Sequence, residues 1–303
     1  MTAVRLGGLS VRQVVELDIR LPFGDILPGI AADDLETLGR WYRDDALASD
    51  PAEAECLLSM HTYVVEVDGK IILIDTCNGN HKNRSLPFIH QLDTPWLTRL
   101  RELGIEPEDV DIVLFTHLHV DHVGWNTRLE GGRWVPTFPN ARYVMNRRDL
   151  DHFSVAGPDV FNHEAYRDSV APILGAGLAD IVEADAVVHG ARGDGIWLQP
   201  AYGHTPGNCT VHACRGSPAA VFAGDILHHP IQLVRPDLQT SFDDDGELAA
   251  RVRADFLAEY ADSGAVVFPA HFPLGGGGMI LRAGDGYRFQ FLGSRGDPAN
   301  GNL

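Results

Sequence analysis

His117-Leu118-His119-Val120-Asp121-His122 places four metal-ligating side chains within one short segment. In a loop or extended segment, His117 and His119, spaced by two, send their imidazoles to the same side and can meet on one ion. Asp121 and His122 then point to a second ion beside it. The segment directly follows Ile112-Val113-Leu114-Phe115, an apolar run of buried-strand type, and α/β sheets gather ligand sites at such strand ends. Three further candidates stand in similar places: His204 in Gly203-His204-Thr205-Pro206-Gly207, Asp225 after Val221 to Gly224, and His271 after Val266 to Phe268. Alone, each is an ordinary turn or capping residue. Beside the first cluster they supply the partners that two coordination shells require.

All of these donors are His or Asp, so a structural zinc site of the cysteine type is disfavoured. The set suits zinc and also admits iron or manganese. Two Zn²⁺ ions would lower the pKa of a bridging water, so that hydroxide forms near neutral pH, while one ion polarises the carbonyl or phosphoryl oxygen under attack. Hydrolysis is the reaction this predicts. Asp121 and Asp225 add negative charge and can hold or receive the proton. Trp125, Phe153, Phe161, Trp197 and Phe272, with a helical insertion from Arg148 to Val170, are candidates to line a pocket for an apolar acyl or aryl group; core packing explains any one of them equally well. Gly275 to Gly278 lacks the Lys-Ser/Thr ending of a phosphate loop and reads as a turn.

Short strands alternating with helices must hold these loops. Val11 to Leu21 reads as a strand, with a short helix near Asp34 to Tyr42 and residues 1–60 expected as a cover over the site or a dimer contact. His61 to Val67 and Lys70 to Asp75 are joined by Asp68-Gly69, a two-residue hairpin signal. Asn78 to Gln91 is a polar loop, and Thr94-Pro95 opens a helix through Leu103. Strands follow at Ala141 to Met145, Ile181 to Glu183, Ala186 to Val188, Ile196 to Leu198, Cys209 to Ala213, Ala219 to Ala223 and Ala265 to Phe268, with a helix over Glu247 to Tyr260. The whole chain, 1–303, is read as one α/β domain with residues 148–175 as a helical insertion.

The balance of 24 basic against 42 acidic residues leaves a formal charge of −18, spread along the chain. Neither nucleic acid nor an anionic membrane fits such a surface. Cys56, Cys77, Cys209 and Cys214 form no CxxC pair and no disulfide framework for a chain of this length. No apolar run approaches the roughly 20 residues of a membrane span, and no secretory leader is visible, so a cytoplasmic location is expected.

The chain resembles the metallo-β-lactamase fold hydrolases, whose H-x-H-x-D-H motif matches His117, His119, Asp121 and His122, with His204, Asp225 and His271 following in the family's order. The resemblance spans roughly Val11 to Leu281. It implies a four-layer αββα sandwich with two metals at one edge of the sheets. His117, His119 and His204 would hold one ion, Asp121, His122 and His271 the other, and Asp225 would bridge. Asp75, with Thr116, would support the histidines from behind. Cys77 stands where the family usually has Gly, and Asn208 where another His often follows Thr-Pro-Gly.

The stretch Gly224-Asp225-Ile226-Leu227-His228, with Gln232 nearby, is similar to the branch of lactonases and methyl parathion-type hydrolases. His228 falls where quorum-quenching lactonases place a substrate-contacting Tyr, so it is a candidate donor to the substrate oxygen. The implied function is a dinuclear zinc hydrolase acting on a small neutral lactone or ester, with no nucleic-acid or membrane partner expected and a homodimeric state. The alternatives are phosphotriester hydrolysis or hydrolytic aryl dehalogenation on the same centre, or an oxidative enzyme with a single iron.

Overall fold

In the computed structural model, which describes residues 3–42, 50–155, 160–273 and 277–292, the strands form two seven-stranded sheets and one small hairpin. The first sheet contains β1 (Val4–Leu6), β2 (Leu9–Pro22), β3 (Glu55–Val67), β4 (Lys70–Ile74) and β5 (Ile112–Leu114). After the hairpin of β6 (Thr127–Glu130) and β7 (Arg133–Pro136), β8 (Arg142–Asn146) and β9 (Ala179–Val182) complete it, in the order β1-β2-β3-β4-β5-β8-β9. The second runs in chain order: β10 (Val187–Ala191), β11 (Asp194–Pro200), β12 (Cys209–Cys214), β13 (Ala220–Gly224), β14 (Val266–Pro269), β15 (Gly278–Ala283) and β16 (Gly286–Phe291).

The central strands are apolar on both faces, and period-two alternation divides their side chains between two cores. Ile72, Ile74 and Leu114 of the first sheet meet Leu198, Val211 and Phe222 of the second in the core between the sheets. Leu73 and Val113 point the other way, onto Trp96 and Leu100 of the helix Trp96–Glu102. Val221 and Val267 likewise turn outward, onto Phe256 and Leu257 of the helix Gly246–Tyr260. The result is the expected αββα sandwich. A fourth cluster packs Phe23, Ile26, Leu35 and Leu38 against Leu58 and Met60, fixing the helical segment Ala32–Gly39 to the long β3.

Parallel pairing decides where the ligand loops emerge. β4 runs parallel to β5, and β13 to β14, so the chain leaves all four strands at one edge. Asp75, Thr116, Asp225 and His271 follow these strands closely. The β3–β4 hairpin turns at Asp68 and Gly69, both with positive φ, as its sequence demands. A further hairpin joins β6 to β7 through Gly131-Gly132, with φ of 57° and 78°, the same kind of turn signal. The stretch after Asn146 is helical over Arg147–Ser154, Val160–Ala165, Tyr166–Val170 and Ala171–Gly175, the third of these a π-helical turn. Residues 274–276, within the glycine run, lie outside the described residues; Gly278 begins β15.

Candidate metal centre

The segment after β5 stays extended through His119 and then makes one helical turn, Val120–Val123. This change of backbone turns Asp121 and His122 away from His117 and His119. His117, His119, His204 and Asp225 each offer a ligand atom within 4.8 Å of the others, and Asp121, His122 and His271 form a second such group. Asp225 stands between them. Its Oδ2 lies 3.2 Å from His204 Nε2 and 3.7 Å from His117 Nε2, while its Oδ1 lies 3.3 Å from His122 Nε2 and 3.2 Å from His271 Nε2.

The outer ring nitrogens explain why these atoms need a cation. Thr116 Oγ1 donates to Asp75 Oδ2 at 2.8 Å, so at 3.1 Å it is left to accept from His117 Nδ1. His122 Nδ1 donates to Asp75 Oδ2 at 2.9 Å, and His204 Nδ1 to Asp243 Oδ1 at 2.8 Å. His271 Nδ1 faces the Ser59 carbonyl at 3.3 Å. Each ring thereby spends its proton outward and turns the Nε2 lone pair inward, toward the carboxylate of Asp225. Buried lone pairs aimed at a carboxylate require a proton or a metal ion between them, and His117 Nε2, His122 Nε2, His204 Nε2 and Asp225 Oδ1 are all buried without a hydrogen-bond partner. The donor set fits a metal-binding site, of the His and Asp chemistry borne by zinc, iron or manganese.

The electrostatics divide the histidines. Burial first, then the neighbouring imidazoles, holds His117 and His119 well below the ordinary range, which keeps them neutral for ligation. Burial also opposes charge on His122 and His204, but Asp225 with Asp121 and Asp75 raises the former, and Asp225 with Asp243 pushes the latter up to about 9. His271 is raised against its burial by Asp225 and Asp121. Burial would raise Asp225 itself, yet the surrounding histidines, His271 first, hold it well below the usual carboxylate range.

His228 joins this cluster as a close neighbour. Its Nε2 lies 3.0 Å from Asp225 Oδ2, and its ring stacks on His271 at a centroid distance of 5.4 Å. Asp225, His228 and His271 form a third group of potential ligand atoms. Gln232 accepts the His228 backbone N–H at 2.7 Å, fixing the start of this turn. Burial pulls His228 down, and its Nδ1 has no hydrogen-bond partner.

A pocket opens onto His119, Asp121, His204, Asp225, His228 and His271. Its walls come from Leu21, Ile26, Leu58, Met60, Phe88 and Phe242, with Asn78, Leu86, Ile89, Val120 and Asn162 completing the lining. Of the aromatic residues singled out in the sequence, Trp125, Trp197 and Phe272 lie elsewhere. Trp125 stacks on Trp96 at 5.2 Å and donates to Glu16 at 2.7 Å in the core. Trp197 stacks on His212 at 5.3 Å in the second sheet, and Phe272 is buried against Phe289 at 5.1 Å. Phe153 touches the edge of the centre through His119, 5.4 Å between ring centroids, while the side chain of Phe161 is outside the described residues. Large aromatic rings bury most surface in a core, and nothing in their spacing marked these as core residues.

Several residues that brace the site carried no sequence signal. Asp149 accepts from Leu118 N at 3.1 Å, Thr205 Oγ1 at 3.0 Å and Gly207 N at 2.6 Å, joining the two histidine loops. Asn162 Oδ1 accepts from Val120 N at 2.9 Å. Glu16, at a bulge in β2, is fully buried and receives Asn78 N, Gly79 N and Trp125 Nε1.

Comparison with known proteins gives the same picture. The model of the metallo-beta-lactamase superfamily matches residues 58–271. N-acyl homoserine lactonase AiiB of Agrobacterium fabrum is 31% identical over 80 residues, which are 22% of this chain and 28% of that relative. The match therefore spans well under a third of the curated relative's length. Among solved structures, the hydrolase AbOPH of the beta lactamase superfamily superposes with a TM-score of 0.77 at 22% identity, covering 95% of both chains. AidC, a dizinc quorum-quenching lactonase in complex with a product, gives 0.74 at 22% identity over 95% of this chain and 96% of its own.

Proposed function

This chain belongs to the metallo-beta-lactamase superfamily and is a metal-dependent hydrolase; from that premise we propose that it opens a small hydrophobic lactone, or cleaves a comparable ester, at a dinuclear zinc centre. The observation that carries this reading is the pocket. Its walls are apolar, and among the described residues no Lys or Arg lines it, so the non-reacting part of the substrate is uncharged and apolar. The names of AiiB and AidC as lactonases support the choice of a lactone.

His117, His119 and His204 would hold one ion, Asp121, His122 and His271 the other, with Asp225 offering an oxygen to each. Bound there, the ions would make a water acidic enough to ionise near neutral pH and polarise the carbonyl oxygen under attack. Asp75, Thr116 and Asp243 keep the imidazoles turned inward. Asp121 has the most open carboxylate of the cluster, and we assign it to accept the proton of the attacking water and return it to the leaving oxygen. His228 Nε2 faces Asp225 at the pocket wall, and once metal ions engage that carboxylate its Nε2–H would be free to donate to the substrate's oxygen. Leu21, Ile26 and Leu58 line the pocket, which favours the cover role for residues 1–60.

Elemental analysis combined with a substrate panel tests the reading: an acyl-homoserine lactone, a p-nitrophenyl ester, methyl parathion, a β-lactam and a chlorinated nitrile arene. Two zinc ions per chain, with lactone or ester turnover lost in His119→Ala, would support it. One iron per chain with no hydrolysis would overturn it. Preferential turnover of methyl parathion or of the arene would keep the centre and replace the substrate.

A further inference from the structure

One wall of the pocket hangs from a loop with little structure of its own. Between β4 and the helix Trp96–Glu102, the chain closes on itself through Gln91 N to Lys82 O and His81 N to Leu92 O, both 2.8 Å, and its tip carries a single 3₁₀ turn, Pro87–Ile89. That tip supplies Leu86, Phe88 and Ile89 to the pocket. Its attachments lead to the helical segment after residue 160. Arg84 makes a two-pronged pair with Asp168, Nη1 to Oδ2 at 2.6 Å and Nη2 to Oδ1 at 2.9 Å, and Ser85 donates through N and Oγ to Glu164 at 2.9 and 2.7 Å.

Asp168 also faces Lys82 at 3.4 Å, whose ammonium lies over the Trp134 ring, 3.8 Å from its centroid. Burial draws Lys82 down to about 7, so the permanently charged Arg84 is the lasting partner of Asp168 near neutral pH. Asp168 sits in the π-helical turn Tyr166–Val170, a rare geometry often retained at functional sites. Earlier in the same helical stretch, Asn162 holds Val120 beside Asp121. A single helical segment thus braces both the ligand loop and the apolar wall.

We propose that Asp168, acting through Arg84, is a positioning residue that sets how long an apolar chain the pocket accepts. The fork geometry fixes the tip in direction as well as distance, as a lone point charge would not. Loss of the pair frees Leu86 and Phe88 to swing from the pocket, which weakens binding of the part of the substrate they cover and spares the reacting group. The proposal rests on the hydrolase reading for its kinetic test alone.

Asp168→Asn and the milder Arg84→Lys should be compared with the parent protein on p-nitrophenyl acetate, butyrate and octanoate. The expected result is a KM for octanoate raised about tenfold, with kcat on acetate within about twofold. Asp168→Glu should recover part of the octanoate KM. Binding of the uncharged fluorophore N-phenyl-1-naphthylamine, measured in parallel, should weaken about tenfold in both charge-pair variants. Equal losses on all three esters, or an unchanged octanoate-to-acetate ratio with unchanged fluorophore affinity, would overturn the proposal. If the parent hydrolyses none of the esters, the hydrolase reading loses its support while fluorophore affinity still decides the role of Asp168.

Discussion

Asp243 takes the Nδ1 proton of His204 across 2.8 Å, and its other oxygen is held by Thr240 N, also at 2.8 Å. The carboxylate fixes both the tautomer and the tilt of the ring, so Nε2 can only face the ligand cluster. Asp243→Ala should therefore lower zinc affinity about 10- to 100-fold with the fold retained. Competition against a coloured chelator measures this, and an unchanged affinity would remove Asp243 from the account.

Asp149 ties the two histidine loops together with three accepted hydrogen bonds and, among the described residues, no Lys or Arg partner. Burial pushes it up to about 6, while its three donors favour the charged form. Asparagine keeps the size and replaces one accepting oxygen with a donor that must face Gly207 N or the pair Leu118 N and Thr205 Oγ1. Asp149→Asn should cost about 1–3 kcal/mol of stability, read as a lower urea midpoint at unchanged slope.

The ligands were legible because coordination uses few residue types, at short spacing, directly after apolar runs such as Ile112 to Leu114 and Val266 to Phe268. The supports were not. Asp243 belongs to Asp243-Asp244-Asp245, which reads as a solvated acidic run until the fold lays it against His204. Glu16 reads as the polar face of a strand, and only the register shift between Val15 and Leu17 accompanies its turn into the core. Leu86 and Phe88 lie in a stretch read as a polar loop, so the apolar wall was sought among aromatics that the sheets had already used as core. Local chemistry is written in spacing, whereas contacts between distant loops depend on topology that no short pattern records.

Gly124 marks a place where that topology leaves no space. A Cβ built there would lie 1.8 Å from the Asn78 carbonyl oxygen and 1.9 Å from its carbon, so the obstacle is backbone and cannot rotate aside. Gly124 N also donates to Cys77 O at 2.7 Å, which holds the two loops at this separation. Gly124→Ala should destabilise the protein by about 3 kcal/mol or more and disturb the Asp75 side of the centre. A thermal midpoint equal to that of the parent would show that the loops can part without penalty.

His61 links the interior to acid stability. It lies in the middle of β3 with Nδ1 on Ser59 Oγ at 3.1 Å, and burial, followed by the nearby His271, pushes its pKa down to about 3. In the unfolded chain the same imidazole takes up a proton near 6.5. Between these values the unfolded state binds more protons, so stability present above about pH 6.5 is lost as the pH falls toward 3, by at most about 1.4 kcal/mol per unit. His61→Gln removes that titration. Urea midpoints at pH 7.5, 6 and 5 should therefore fall more steeply for the parent than for the variant, so that any advantage of the parent at pH 7.5 shrinks on acidification. Parallel profiles would mean that His61 is protonated in the folded protein as readily as in the unfolded chain, which a fully buried ring without a carboxylate partner should not allow.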